Sequence, residues 1–121
     1  MKLRIRGNTV RVRVSQSDMI QIVDHGLVVD SIDFAPGERL EYRVEVVPSG
    51  VVSASYQGNS ICVTLPQESV EIWSVAAEVS IEGEQLLNNG VYLTILVEKD
   101  FTCLTSRAGE DDVGLFPNPN K

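Results

Sequence analysis

Hydrophobic and polar residues alternate strictly along the first part of the chain. Residues 2–14 read KLRIRGNTVRVRV, and only a Gly-Asn pair interrupts the alternation. A period of two is typical of a β-strand that is buried on one face, and Gly-Asn between two such runs is typical of a tight turn. The pattern therefore predicts a β-hairpin in which Leu3 lies opposite Val12 on one face and Arg4 lies opposite Arg11 on the other.

The same pattern returns 51 positions later in the chain. Residues 7–16 (GNTVRVRVSQ) align with residues 58–67 (GNSICVTLPQ), with Gly, Asn, Val and Gln identical. The second run predicts another hairpin, in which Ala54 faces Val63. Its polar face carries Ser, Thr and Cys where the first hairpin carries arginine.

A short helix and two further strands are predicted after each hairpin. Ser15 or Ser17 can cap the first helix and Gly26 can end it, and Pro66 lies near the start of the second helix. Further alternating runs follow each helix, and these predict strands at 27–34, 39–47, 78–84 and 91–98.

These elements predict a duplicated strand-strand-helix-strand-strand unit, with repeats at about 1–47 and 51–104. The alternative interpretation is that two unrelated hairpins use the same turn residues. About eight mainly antiparallel strands and two short helices make an α+β fold. Closing the sheet would remove its unpaired edges, so we expect a barrel or a strongly curled sheet.

Length and composition predict one domain and exclude several classes of protein. The chain has 121 residues, of which 43% are hydrophobic and 22% charged, values of a globular domain rather than a collagen-like or disordered chain. No apolar run approaches the roughly 20 residues of a membrane span, and no secretory leader opens the chain. Two scattered cysteines fit a reducing compartment. We therefore expect a cytoplasmic protein with no membrane span.

Charge is distributed unevenly along the chain. The net charge is −7, yet every charged residue up to position 13 is basic. These five are Lys2, Arg4, Arg6, Arg11 and Arg13. The acidic balance of the rest argues against nucleic-acid binding, since phosphate affinity depends on Lys and Arg. The basic hairpin can hold a small anion or an acidic protein partner, pair with the chain's own carboxylates, or be solvated. We expect a monomer or a homodimer.

One predicted strand could neutralise the arginines of the first hairpin from within the chain. Like charges opposite each other on paired strands are destabilising, so the arginines of the first hairpin need compensation. In RLEYRVEVV, residues 39–47, the side chains of Glu41, Arg43 and Glu45 share one face. A ladder of ion pairs between this strand and the first hairpin is the purely structural interpretation.

The other reactive side chains indicate no catalytic site. His25, the single histidine, falls at the predicted end of the first helix, where a cation favours the helix dipole. Cys62 and Cys103 lie in no C-x-x-C pair, so their spacing does not indicate a metal site. Thiol chemistry at Cys103 is a separate hypothesis. No glycine-rich phosphate loop and no nucleophile elbow occurs, and no cofactor is expected.

Residues 105–121 form an acidic, proline-containing segment after the domain at 1–104. The composition predicts an extended strap or tail. Phe116 and Pro117 would either pack on the domain or be offered to a partner as a short linear motif.

Several stretches together resemble a small family of uncharacterised bacterial cytosolic proteins. They are KLRIRGN at the start, VEKDFTCL near residue 100 and FPNP in the tail. The resemblance covers nearly the whole chain and implies no known activity, cofactor or site.

A weaker similarity, at the level of fold, is to the triphosphate-tunnel metalloenzymes, whose eight-stranded barrels are internally duplicated. Their E-x-E-x-K strand is absent here, because Glu82-Gly83-Glu84 continues to Leu86. Likeness of fold alone transfers no function.

Two hypotheses of function follow from these observations. The first is a small non-enzymatic binding or interaction module. The alternative is a metal-dependent enzyme that handles phosphates or nucleotides, with the basic hairpin on the phosphates and Glu41, Glu45 and Glu98 holding a divalent metal. The alternative requires the charged faces to point into a barrel.

Overall fold

The computed structural model describes residues 1–75 and 80–100, so the first two residues of the strand predicted at 78–84 lie outside the described residues. The helices and strands of the described residues follow in chain order. They are β1 (Lys2–Arg6), β2 (Thr9–Val14), α1 (Gln16–His25), β3 (Leu27–Ala35), β4 (Glu38–Val47), β5 (Ser53–Gln57), β6 (Ser60–Pro66), α2 (Gln67–Val75), β7 (Ser80–Leu86) and β8 (Tyr92–Lys99). The order strand-strand-helix-strand-strand therefore occurs twice.

The two hairpins have the predicted registers. Leu3 pairs with Val12 across β1 and β2, and Ala54 pairs with Val63 across β5 and β6. In the second turn Gly58 and Asn59 both have positive φ, 55° and 62°. Two such residues give a turn whose twist matches that of the strands, which explains why Gly-Asn is used there.

Helix α1 begins and ends at residues that the sequence provides for this purpose. The Ser15 hydroxyl accepts a hydrogen bond from the Asp18 backbone N–H, and the Asp18 carboxylate accepts one from the Ser15 N–H, so Ser15 rather than Ser17 is the cap. At the other end, the Gly26 N–H donates to the Ile22 carbonyl at 3.0 Å. His25 lies in the last turn, as predicted.

The strands form two separate four-stranded sheets. The orders are β1-β2-β8-β7 and β3-β4-β6-β5, so each sheet combines one hairpin from each half of the chain. Every hairpin is antiparallel, and the central pairs β2–β8 and β4–β6 are parallel. The two sheets have equivalent strand orders, since replacing each strand of the first sheet by its counterpart in the other half of the chain gives β5-β6-β4-β3, which is the second sheet.

One apolar core lies between the sheets and the helices. The buried side chains come from β2 to β8 and from both helices, and every buried side chain of residues 1–75 and 80–100 is apolar. Trp73, Ile22, Leu65 and Ile95 are the largest of them. The inner face of each sheet is therefore the hydrophobic set of each alternating strand, and the charged sets point outward.

The described strands do not close into a barrel, although two pairs of sheet edges approach each other. The Ala54 N–H on β5 donates to the Gln85 side chain on β7 at 3.0 Å. On the opposite side, the Met1 amino group lies 3.5 Å from the Asp30 carboxylate on β3. Side chains bridge these edges without a backbone ladder, so the sheets remain two.

The predicted division of the chain falls partly outside this structure. Residues 105–121, including Phe116 and Pro117, lie outside the described residues, as does Cys103. The prediction of a C-terminal strap or tail therefore stays a prediction.

Candidate binding face

The outer face of the β1-β2-β8-β7 sheet carries all five residues of the predicted basic hairpin. We call it the charged face and define it by the outward side chains of its four strands. They are Lys2, Arg4 and Arg6 of β1, Thr9, Arg11 and Arg13 of β2, Tyr92, Thr94, Leu96 and Glu98 of β8, and Ser80, Glu82, Glu84 and Leu86 of β7. Alternation along each strand sends these side chains away from the core.

Glu98 neutralises the inner part of the basic hairpin. Its carboxylate accepts two hydrogen bonds from the Arg11 guanidinium, at 3.3 and 3.1 Å, and one from the Arg13 Nε at 3.0 Å. Partial burial opposes ionisation of Glu98, but these hydrogen bonds outweigh it and lower its pKa below the usual range. Two like charges on β2 are thus held together by one carboxylate on the neighbouring strand.

Asp100 extends this network beyond the end of β8. Its carboxylate lies 3.3 Å from the Lys2 ammonium and 4.0 Å from the Arg13 guanidinium. The side chain of Asp100 is 13% exposed, whereas that of Lys2 is 62% exposed. The end of the basic hairpin near Lys2 is therefore also compensated from within the chain.

The predicted partner strand of the basic hairpin is wrong. The ladder was expected from Glu41 and Glu45, but β4 lies in the other sheet. There Arg43 bridges the two carboxylates of its own strand, 3.1 Å from Glu41 and 3.7 Å from Glu45. Alternation shows which residues share a face and contains no information about the neighbouring strand, so the pairing of β2 with β8 was not predicted.

Arg4 and Arg6 are exposed cations at the β1 edge of the charged face. Neither has an ion pair or a side-chain hydrogen bond within residues 1–75 and 80–100. Together with Ile5, Thr9 and Arg11, they line a shallow depression at the β1 edge of the sheet. This depression is the part of the basic hairpin that can take a ligand without breaking an existing ion pair.

The opposite edge of the same face is acidic. Glu82 and Glu84 on β7 are exposed and, within the described part of the chain, have no ion-pair partner. Their position across the sheet from Arg4 and Arg6 was not predicted from the sequence. Only the pairing of β7 with β8 places the two edges on one face.

The residues proposed for a metal are not brought together. Glu41 and Glu45 lie on β4, and Glu98 lies on β8 in the other sheet, where it binds arginine. Among residues 1–75 and 80–100, no group of three or more His, Cys, Asp or Glu side chains could hold a metal ion. The charged faces point away from the core, so the geometry that the metal-dependent hypothesis requires is not present in these residues.

Cys62 occupies, in the second hairpin, the position that Arg11 occupies in the first. Its thiol lies 3.6 Å from a Glu45 carboxylate oxygen. Burial raises the pKa of the Cys62 thiol, and the nearby Glu45 carboxylate adds to this, which outweighs the hydrogen bond with Thr64. The thiol is therefore protonated at neutral pH, and this geometry does not activate a nucleophile.

The observations define an α+β protein with two four-stranded sheets, an apolar core and one outer face of separated charge. The chain belongs to a family of unknown function (DUF7009), whose model matches residues 1–120. The predicted resemblance to a small uncharacterised family is thus confirmed, while its bacterial origin stays a prediction. No curated protein and no solved structure matches the chain.

In the described ranges, no helix is long and apolar enough to cross a membrane.

Proposed function

We propose that the protein is a small non-enzymatic binding module, and that its basic hairpin recognises carboxylates of an acidic protein partner. One observation carries the proposal. Arg4 and Arg6 are exposed and unpaired within the described residues, while Arg11 and Arg13 beside them are held by Glu98. Arg11 and Arg13 are thus held in place by Glu98, and Arg4 and Arg6 remain available to bind the carboxylates of a partner.

The chemistry of arginine supports this function. A guanidinium presents a planar set of donors that matches a carboxylate in a bidentate geometry. Arg4 and Arg6 are two residues apart on one strand and therefore project on the same side, roughly 7 Å apart. Two carboxylates at similar spacing, such as alternate residues of an acidic strand, would engage both.

The comparison of the two halves supports assigning the function to this hairpin. Arg11 pairs in register with Leu96, and Cys62 pairs with Arg43 at the matching place in the other sheet. We propose that the halves arose by duplication and diverged in charge. The second copy has the same order of strands and helix but carries Cys62 and Thr64 where the first carries Arg11 and Arg13, so we assign binding to the first copy.

The metal-dependent enzyme is not retained as a candidate, because its three carboxylates lie on two different sheets. The proposed module would act in the cytoplasm, where Cys62 stays reduced.

Titration with an acidic peptide tests the proposal. A ten-residue glutamate-rich peptide is added to the protein at low ionic strength, and binding is followed by amide chemical shifts. We expect shifts at β1 and β2, and we expect the double variant Arg4→Gln and Arg6→Gln to weaken binding about tenfold, as for two exposed ion pairs. Inorganic phosphate in a parallel titration shows whether a small anion suffices.

The control variant is Arg39→Gln. Arg39 is an exposed arginine of the other sheet that pairs with Asp33 at 2.7 Å. Its replacement removes the same charge from a different surface and should leave binding unchanged. Equal binding by all three proteins, or none by the wild type, would contradict the proposal.

A further inference from the structure

Within the part of the chain that the structure describes, the charged face has unpaired charges on both of its edges. Arg4 and Arg6 lie on β1, and Glu82 and Glu84 lie on β7. Three strand spacings of about 4.8 Å separate these edges, so the two sets are roughly 14 Å apart. Within one molecule they are too distant to pair.

The register places these charges in matching rows across the sheet. One row runs from Arg4 through Arg11 and Leu96 to Glu82. The next row runs from Arg6 through Thr9 and Thr94 to Glu84. In both rows a cation on β1 lies at the same height as a carboxylate on β7, and neither group has an ion-pair partner among residues 1–75 and 80–100.

We propose that two copies of the chain associate through their charged faces, about a twofold axis that runs along the strands. Such an axis keeps each residue at its height and exchanges the left and right edges of the face. It therefore places Arg4 over Glu82 of the second copy and Arg6 over Glu84. A twofold axis across the strands would instead place β1 over β1, which opposes cations.

The middle of the face is also complementary under this operation. The same axis places Thr9 over Thr94, and it places the aliphatic part of Arg11 over Leu96, which is half-buried in the single chain. Arg13 comes over Glu98, whose carboxylate already accepts hydrogen bonds from arginine. Facing sheets stack about 10 Å apart, a distance that an arginine and a glutamate can span together.

The outer face of the other sheet lacks this property. On β4, Arg43 lies between Glu41 and Glu45 and forms an ion pair with each, and Arg39 pairs with Asp33 of β3. Opposite these residues, β6 carries the neutral side chains of Ser60, Cys62 and Thr64. Within the described residues, the edge strands β3 and β5 carry no opposite unpaired charges on this face, so we expect association through the charged face.

The size and charge of the face predict a weak and salt-sensitive dimer. Four strands with about three outward residues each give an area below that of a standard stable interface. The contacts at the edges are exposed ion pairs, which salt screens. We expect association that strengthens at low ionic strength and weakens about tenfold between 50 and 500 mM NaCl.

A charge-exchange experiment tests the proposal by sedimentation velocity over a range of protein concentrations. One variant carries Arg4→Glu and Arg6→Glu, and a second carries Glu82→Arg and Glu84→Arg. Each alone places like charges opposite each other, and we expect each to weaken self-association roughly 100-fold. Mixed together, the two variants restore opposite charges at both edges and should form a heterodimer.

A fourfold variant and a control variant complete the design. A chain with all four substitutions again has opposite charges at both edges and should self-associate like the wild type. Exchange of the exposed pair Asp33 and Arg39 on the other sheet should change nothing. The substituted side chains are exposed, and circular dichroism checks that each variant is folded.

The inference rests on the proposed function in using Arg4 and Arg6 to bind carboxylates, but the two fail separately. A wild-type monomer at every concentration would overturn the dimer, as would the absence of a heterodimer in the mixture. The peptide titration, carried out at low protein concentration, then still decides whether the basic hairpin binds acidic partners.

Discussion

Gly83 lies where β7 passes close to the residues that precede β5. A Cβ atom at position 83 would lie 2.7 Å from the Val52 Cβ and 2.8 Å from its Cγ1, and 3.3 Å from the Val52 carbonyl oxygen. Real Cβ atoms essentially never come this close to another carbon. Gly83→Ala therefore pushes β7 away from the start of β5. Within the described residues, one hydrogen bond joins these two strands, from the Ala54 N–H to the Gln85 side chain.

Two opposing effects set the size of the change. Alanine reduces the conformational freedom of the unfolded chain, which stabilises a protein by about 0.4–1 kcal/mol where the folded backbone accepts it. Forcing extra atoms into a packed place costs about 1–3 kcal/mol. The steric cost is the larger, because a Cβ and a carbonyl oxygen cannot turn away as the end of a long side chain can. We expect a net loss of roughly 1–2 kcal/mol.

Urea unfolding measures this loss. Trp73 is the single tryptophan and is 1% exposed, so its fluorescence reports unfolding of the core. The variant's midpoint should fall, and its melting temperature should drop by roughly 4 °C for each kcal/mol.

The variant Val52→Gly removes the side chain that Gly83→Ala would contact. It completes a double-mutant cycle, in which the two changes together should cost at least 1 kcal/mol less than the sum of the single changes, on the order of a direct contact. A Gly83→Ala protein as stable as the wild type, or additive costs, would refute the steric argument.

Three further predictions concern other residues. The pKa of Glu98 is lower in the folded protein than in the unfolded chain. Ionised Glu98 therefore contributes its full stabilisation at a pH above its unfolded-state pKa, and this stabilisation is lost as the pH falls through its folded-state pKa. Glu98→Gln should therefore cost about 1–2 kcal/mol at pH 7, allowing for solvent screening, and should flatten the acid side of the stability profile; an unchanged profile would contradict the role of Glu98. Ser15→Ala should cost about 1 kcal/mol by thermal unfolding, and Ser17→Ala clearly less, since Ser15 caps α1. In a Cys103→Ser background, iodoacetamide should modify Cys62 more slowly in the folded protein than in urea, because burial raises the pKa of its thiol; equal rates would show an accessible, reactive thiol.

Local features of the fold could be predicted from the sequence. The register of the first hairpin, the cap at one of two serines and the helix end at Gly26 all depend on residues within a few positions of each other. Side-chain periodicity and turn chemistry determine them without help from the rest of the chain.

The pairing of hairpins into sheets could not be predicted in this way. The sequence indicated only the strand at 39–47 as an acidic partner of the first hairpin, whereas the structure pairs β2 with β8. Arg11 and Glu98 are 87 positions apart, and their contact depends on the parallel pairing of β2 with β8. Such a pairing is decided by how both helices and both sheets share one core.

The candidate binding face also combines features that the sequence predicts with features that only strand pairing determines. Alternation determined that Arg4 and Arg6 share a face, and equally that Glu82 and Glu84 share one. Only the strand order made these the two edges of one surface.

The sequence alone determined the elements of this protein, their order, the registers of the two Gly-Asn hairpins and which residues of each strand share a face. Tertiary structure decided that the described strands form two sheets rather than a barrel. It also decided which carboxylate holds the inner arginines, and it placed opposite charges that are unpaired within the described residues at the same height on the two edges of one sheet. The physical reason is the distance along the chain over which each interaction acts. Backbone turns and side-chain periodicity act over a few residues, whereas the choice of neighbouring strand depends on burying the apolar faces of the whole chain together.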